Sequence, residues 1–212
     1  MVARSTAWLV FAVIAGVATL ADLLTKSAAF ATLGMPGSGR RLILVPQILV
    51  LETNLNEGAL FGMGQGLSWL FAAISVGALL GISVMISREA VYEDRWLVVA
   101  LALIVGGIIG NLVDRLGLPG LRWHAPVDRV GQPVMAVRDW IHVTVPGVID
   151  WPIFNLADTW LVIGAGILLV LTLRTPRPAG AGPAFDAEAE GSTTPRARVD
   201  GSTGDRRVGD AT

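Results

Sequence analysis

The chain reads as an all-α polytopic membrane protein, with four transmembrane helices, a small β-like platform and a loop, and three observations carry that reading. Of its 212 residues, 53% are hydrophobic and only 16% charged, and the mean hydropathy is +0.62, beyond what an ordinary soluble domain carries. Four apolar runs, at 7–21 with its continuation, 67–86, 96–113 and 153–173, are long enough for a hydrocarbon core of about 30 Å at about 1.5 Å per residue. The polar motifs are sorted to one end of these runs.

The first run follows Arg4 and competes with a cleaved leader, because Thr19, Leu20 and Ala21 loosely resemble a small-residue cleavage site. The single Arg before the run, and Asp22 and Lys26 where a helix should still continue, favour a retained span. Residues 42–51 are too short to cross and hold Pro46. There Leu42, Leu44, Ile48 and Val50 alternate with other residues, which predicts strand or interfacial structure. Residues 87–95 form a short charged connection between the second and third runs, read as a solvated turn. From 176 to 212 the composition turns to Pro, Gly, Ala, Ser, Thr and charges, with Phe185 the only aromatic. This predicts a membrane unit at 1–175 and a disordered tail at 176–212 without catalytic content.

Several function classes lose support. A formal net charge of −1 gives no reason to expect a nucleic-acid partner. With no Cys there is neither a disulfide nor a thiol nucleophile. His124 and His142 lie between the third and fourth runs without an evident ligand set, so they read as surface residues and no metal is implied. The Lys and Arg distribution does not decide orientation.

Parity is more informative. Four spans joined in order put the end of the first, the start of the second, the end of the third and the start of the fourth on one face. Asp22 and Lys26 end the first, Asn54, Asn56 and Gly58 precede the second, Asn111, Asp114 and Arg115 end the third, Asp139 lies in the loop, and Asn155 and Asp158 open the fourth. Such sorting predicts one site assembled from all four spans.

Asp22 and Lys26 are four apart, acid first, the favourable order for a helical ion pair, and Lys can snorkel to the interface. The segment 56–62 offers a turn at Asn56–Gly58 and close backbone approach at Gly58 and Gly62, suiting either a strand platform or a plain connection. Gly106 and Gly110 let a neighbouring helix approach, and Asn111, Asp114 and Arg115 project near one face. Arg115 is open to pairing with Asp114 or to binding a substrate carbonyl or lipid headgroup. Asp139 and Asp158 are separated by eighteen residues that include Trp140, Trp151, Pro152 and Phe154, an aromatic shell for two acids. A charge inside a span is expensive and normally functional. Two close carboxyls share one proton, so one can activate water while the other donates to a peptide carbonyl.

Together AspLeuLeuThrLys (22–26), AsnGluGlyAlaLeuPheGly (56–62), GlyGlyIleIleGlyAsnLeuValAspArg (106–115), the Asp before an aromatic at 139–140 and PheAsnLeuAlaAsp (154–158) resemble the lipoprotein signal peptidases, also called signal peptidase II. The resemblance implies a bacterial inner-membrane aspartic endopeptidase with both termini cytoplasmic and an extracytoplasmic platform, loop and site. It implies removal of the signal peptide of prolipoproteins just before a diacylglyceryl-modified Cys, amid membrane lipids, without a cofactor, and inhibition by globomycin-type peptides. By motif, Asp139 and Asp158 match the catalytic pair. Asn111, Arg115 and Asn155 match residues around substrate or inhibitor, and Asp22, Lys26, Asn56 and Asp114 match supporting polar positions.

Two features depart from the family pattern: the loop at 116–137 is longer, and Arg138 stands where an apolar residue is usual. Asp128 lies in that loop, and Asp150 before Trp151 is a second Asp-aromatic pair. Only seven residues separate Asp150 from Asp158, which leaves little chain to fold back, so Asp139 is favoured. The rival class is a small transporter or lipid-binding membrane protein using the same charges; the apolar centres of the runs and the lack of a repeat argue against it.

Overall fold

The computed structural model describes residues 4–58 and 64–174. Gly62 and the tail expected to be disordered lie outside the described residues. Four helices are long and apolar enough to cross a membrane: α1 (Arg4–Leu33), α2 (Ser68–Ile86), α3 (Arg95–Arg115) and α4 (Leu156–Arg174). They fall where the apolar runs predicted them. α3 is the central helix, with 61% of its spanning window buried against 6% in α2.

The small residues of α3 explain its position. A Cβ on Gly106 would lie 2.6 Å from Ala18 Cβ of α1, and one on Gly107 would lie 2.5 Å from the Ala157 carbonyl of α4. Glycine therefore lets both neighbours pack against the α3 backbone, on two faces of one turn about 100° apart. At its start, Asp94 caps α3 by accepting from Trp96 N at 2.8 Å.

The platform is a four-stranded antiparallel sheet, β1 (Leu42–Val45), β2 (Leu49–Asn56), β3 (Val137–Val145) and β4 (Ile149–Asp150), in that spatial order. It is larger than the sequence implied, so the all-α description holds only for the spans. β3 was hidden because Arg138, Asp139 and His142 interrupt its β-branched and aromatic residues. The alternation at 42–51 is two strands joined through Pro46, with Gln47 at φ 63° and Ile48 N bonded to Val45 O at 3.0 Å. A second Pro turn, at Pro146 and Gly147, closes β3 onto β4 with Val148 N on Val145 O at 2.9 Å. Thr144 ties the turns together, donating through N to Ile48 O at 2.9 Å and through Oγ1 to Gln47 O at 2.7 Å.

Candidate active site

Helices α1, α3 and α4 meet the sheet at a buried polar cluster. Lys26 is its hub. Its ammonium pairs with Asp22 one turn back at 2.7 Å and with Asp114 of α3 at 3.0 Å, and it donates to Asn111 Oδ1 at 2.9 Å. The expected i,i+4 pair is present, but Lys26 is fully buried and does not snorkel: two carboxylates and an amide satisfy it inside the protein.

Because an ammonium can only donate, Lys26 fixes the Asn111 amide with its oxygen toward α1. The Asn111 NH2 is thereby aimed at α4, where it donates to Asp158 Oδ1 at 2.9 Å. A lysine of α1 thus orients a group that touches an aspartate of α4.

Asp158 sits in a reciprocal cap of its own helix. Asp158 N donates to Asn155 Oδ1 at 3.0 Å, and Asn155 N donates to Asp158 Oδ2 at 3.3 Å. This is a capping box with Asn and Asp at its two ends, and it holds a carboxylate at a helix N-terminus, where negative charge is favoured. The first bond also forces the Asn155 NH2 outward, and it donates to Asp139 Oδ1 at 2.6 Å. One asparagine therefore bridges the two acids.

Backbone pairing brings Asp139 there. Phe154 and Ile141 form an isolated bridge, with Phe154 N on Ile141 O at 3.0 Å and Ile141 N on Phe154 O at 2.9 Å, which puts Asn155 beside Asp139. Against β2 the register slips between Leu51 and Asn54, so Glu52 and Thr53 oppose Trp140 alone. Such a bulge re-aims side chains beside it. Asp139 is 1% exposed. Its burial first, and the Asp158 charge second, push its pKa up to about 8, against hydrogen bonding from Asn155, the Lys26 charge and hydrogen bonding from Asn56. Asp139 Oδ2 and Arg115 Nε are buried without a hydrogen-bond partner of standard geometry, as expected of polar atoms that have another use.

Arg115 does not pair with Asp114. It donates from Nη2 to the Gly58 carbonyl at 3.3 Å and lies over the Phe71 ring at 5.5 Å. Asp114 is taken by Arg138, whose Nε donates to Oδ1 at 2.8 Å and whose backbone N donates to Oδ2 at 3.1 Å. The residue that departs from the family pattern thus supplies a second cation to the cluster. Asn56 Oδ1 accepts from Gly58 N at 3.0 Å, the expected turn. Asp22 Oδ1 accepts from Ala157 N at 2.9 Å, so α1 also clasps the start of α4.

Asp150 is elsewhere. It binds His142 Nε2 at 2.7 Å while Glu52 holds Nδ1 at 2.5 Å, so His142 is a clasp across three strands rather than a free surface residue. Partial burial opposes its charge, but hydrogen bonds to Asp150 and Glu52 outweigh that and raise its pKa. The long loop is anchored too: Arg129 forks onto Glu57 at 2.8 and 2.5 Å and stacks on Trp123 at 4.1 Å. Neither contact was read from the sequence, because both join positions more than seventy residues apart.

Residues 14–174 match the family model described as signal peptidase (SPase) II. A lipoprotein signal peptidase of Rhodopirellula baltica is 41% identical over 70% of this chain and 65% of its own length. One of Rhodococcus jostii is 38% identical over 79% of this chain and 74% of its own length. A solved structure described as a bacterial membrane enzyme, determined by the in meso method at 2.3 Å resolution, superposes with a TM-score of 0.63 at 26% identity, covering 77% of this chain and 87% of that one. The four apolar helices and these matches lead to one conclusion: this is a membrane protein that belongs to the bacterial signal peptidase II family.

Proposed function

We propose that the protein is an aspartic endopeptidase of the bacterial inner membrane that removes the signal peptide from diacylglyceryl-modified prolipoproteins, cleaving just before the lipidated Cys. The observation that carries this reading is Asn155, whose side-chain amide donates to the Asp139 carboxyl and whose backbone N donates to the Asp158 carboxylate. Its two acids differ as an acid–base pair requires. Asp139 is dry and, with its pKa raised to about 8, protonated at neutral pH, able to donate to the peptide carbonyl. Asp158 accepts from Asn111 and from the N-terminus of α4, an environment suited to the ionised form that takes a proton from the attacking water.

The substrate's acyl chains stay in the bilayer while the scissile bond reaches the acids at its boundary, with both termini of the enzyme cytoplasmic. Arg115 and Asn111 then hold the peptide or a globomycin-type inhibitor. A transport path through the bundle would have to cross the opposite end, where Ala7, Ile86, Val91, Val98 and Leu101 cluster.

The test is incubation of purified protein with a lipid-modified precursor. Asp139→Asn and Asp158→Asn should each lower cleavage by at least about 100-fold while the protein stays folded in the membrane, and globomycin should stop the parent enzyme. Cleavage surviving in both variants would sink the aspartyl mechanism, and loss in Asp150→Asn with activity in Asp139→Asn would move the role to Asp150.

A further inference from the structure

A cleft of about 760 Å³ lies where the end of α1 meets the long loop, adjoining the cluster of aspartates through Arg138 but lined by none of them. Its polar lining includes Ser27, Arg40, His124 and Arg138, with Phe30 and Leu121 among its apolar residues, and it contains no Asp or Glu. We infer that this cleft binds the phosphodiester headgroup of an anionic phospholipid from the surrounding bilayer.

Three arguments converge. The first is charge. Arg40 has no carboxylate partner among the described residues; its Nη1 donates only to the Thr32 carbonyl, at 3.2 Å. Arg138, whose Nε is held by Asp114, reaches Ser27 Oγ with Nη1 at 3.2 Å, so Arg40 supplies the uncompensated charge while a hydroxyl and the outer edge of a second guanidinium stand in the wall. Arginine with hydroxyl and imidazole donors is a set suited to phosphate.

The second argument is depth. Lys26 pairs with Asp114, in the last turn of α3, so that level of α1 marks the end of the bundle. From Ser27 to Leu33 the helix runs on for about 10 Å, through the layer where headgroups lie. The cleft opens along this extension. The third is the mixture of surfaces: Phe30 and Leu121 offer apolar contact to the glycerol and first methylenes, while the cations meet the phosphate. A free anion would have no use for the apolar part.

The inference does not depend on proteolysis, and its test has a readout apart from cleavage. Full-length protein in an uncharged detergent is titrated with a phosphatidylglycerol, a phosphatidylcholine or inorganic phosphate, following bound lipid by native mass spectrometry and the unfolding midpoint. Phosphatidylglycerol should bind saturably and raise the midpoint. Arg40→Ala with His124→Ala should weaken that binding roughly fivefold or more, and Arg40→Gln, which keeps a donor for the Thr32 carbonyl, should weaken it with an unchanged lipid-free midpoint. Equal phosphatidylglycerol binding by parent and variants would overturn the site. An equal response to inorganic phosphate or to phosphatidylcholine would overturn its assignment to an anionic lipid.

Discussion

At one end of the helix bundle Asp22, Lys26, Asn111, Asp114 and Arg138 are buried in a run of ion pairs, whereas at the other Ala7, Ile86, Val91, Tyr92, Val98 and Leu101 form an apolar cluster. The same helices α1 and α3 build both. Well-packed apolar residues hold helices together without desolvating anything, while a buried ion pair does little better than break even, because its attraction is offset by the lost hydration of both ions. The charged end is therefore not explained as a stronger fastening. In the structure its groups orient Asn111 toward Asp158 and surround Asp139 with charge, and the fold tolerates them because each has a partner.

Four measurements would break or sharpen that contrast. The largest effect is expected from Lys26→Met, which removes the ion-pair partner of the Asp22 carboxylate, leaves Asp114 with Arg138 alone and should cost about 3–5 kcal/mol. Chemical unfolding in detergent would measure it, and a loss under about 1 kcal/mol would mean that the carboxylates at this end do not depend on Lys26 for their compensation. Leu101→Ala in the apolar cluster should cost about 2–3 kcal/mol, the lower part of the range for a buried leucine, since lipid tails are as apolar as the side chain and only the packing loss remains. Cleavage per folded molecule should stay unchanged, which a burst-corrected assay can check.

The next effect is in pH. If Asp139 acts protonated, cleavage should fall above about pH 8, by roughly tenfold per unit. The stability sign follows from the same raised value: the folded state keeps a proton that the unfolded chain releases near 3.8. Stability contributed by this group is thus highest below the unfolded value and declines as pH rises toward about 8, levelling beyond it. A flat rate between pH 7 and 9.5 would remove Asp139 as the acid.

The smallest effect is expected from Arg129→Ala. Its pair with Glu57 is partly exposed, so the stability change should stay under about 1 kcal/mol. Glu57 lies between Asn56, whose amide acts on Asp139, and Gly58, which Arg115 holds. A several-fold fall in kcat/KM without a matching loss of stability would show that the long loop steadies this stretch for the site.

Much of the charged end was legible before any fold was known. A carboxylate in a span is costly enough to be noticed, the i,i+4 order of Asp22 and Lys26 predicts a pair, and parity puts both on one face with Asn111, Asp114, Asn155 and Asp158. The spacing of a capping box is in the sequence too, as Asn155 followed three residues later by Asp158. The role of Arg138 was not legible, because its partner Asp114 lies twenty-four residues away and no local rule links them. Arg115 was open to pairing with Asp114 through sequence proximity, yet adjacent helix positions point about 100° apart.

Hydropathy and periodicity by themselves determined the four spans and, through their parity, the end of the bundle that carries the polar groups, while the ordered motifs carried the resemblance to the family. These are local or additive properties, set by how much apolar surface each segment carries and by helical geometry. The tertiary structure alone decided that Lys26 turns the Asn111 amide toward Asp158, that a bulge and the Phe154 bridge set Asp139 against Asn155, that Arg138 takes Asp114, and that a basic cleft opens beside α1. Each of these depends on which distant backbones come within hydrogen-bonding reach, and that is fixed by the close packing of α3 at its glycines and by the register of the sheet.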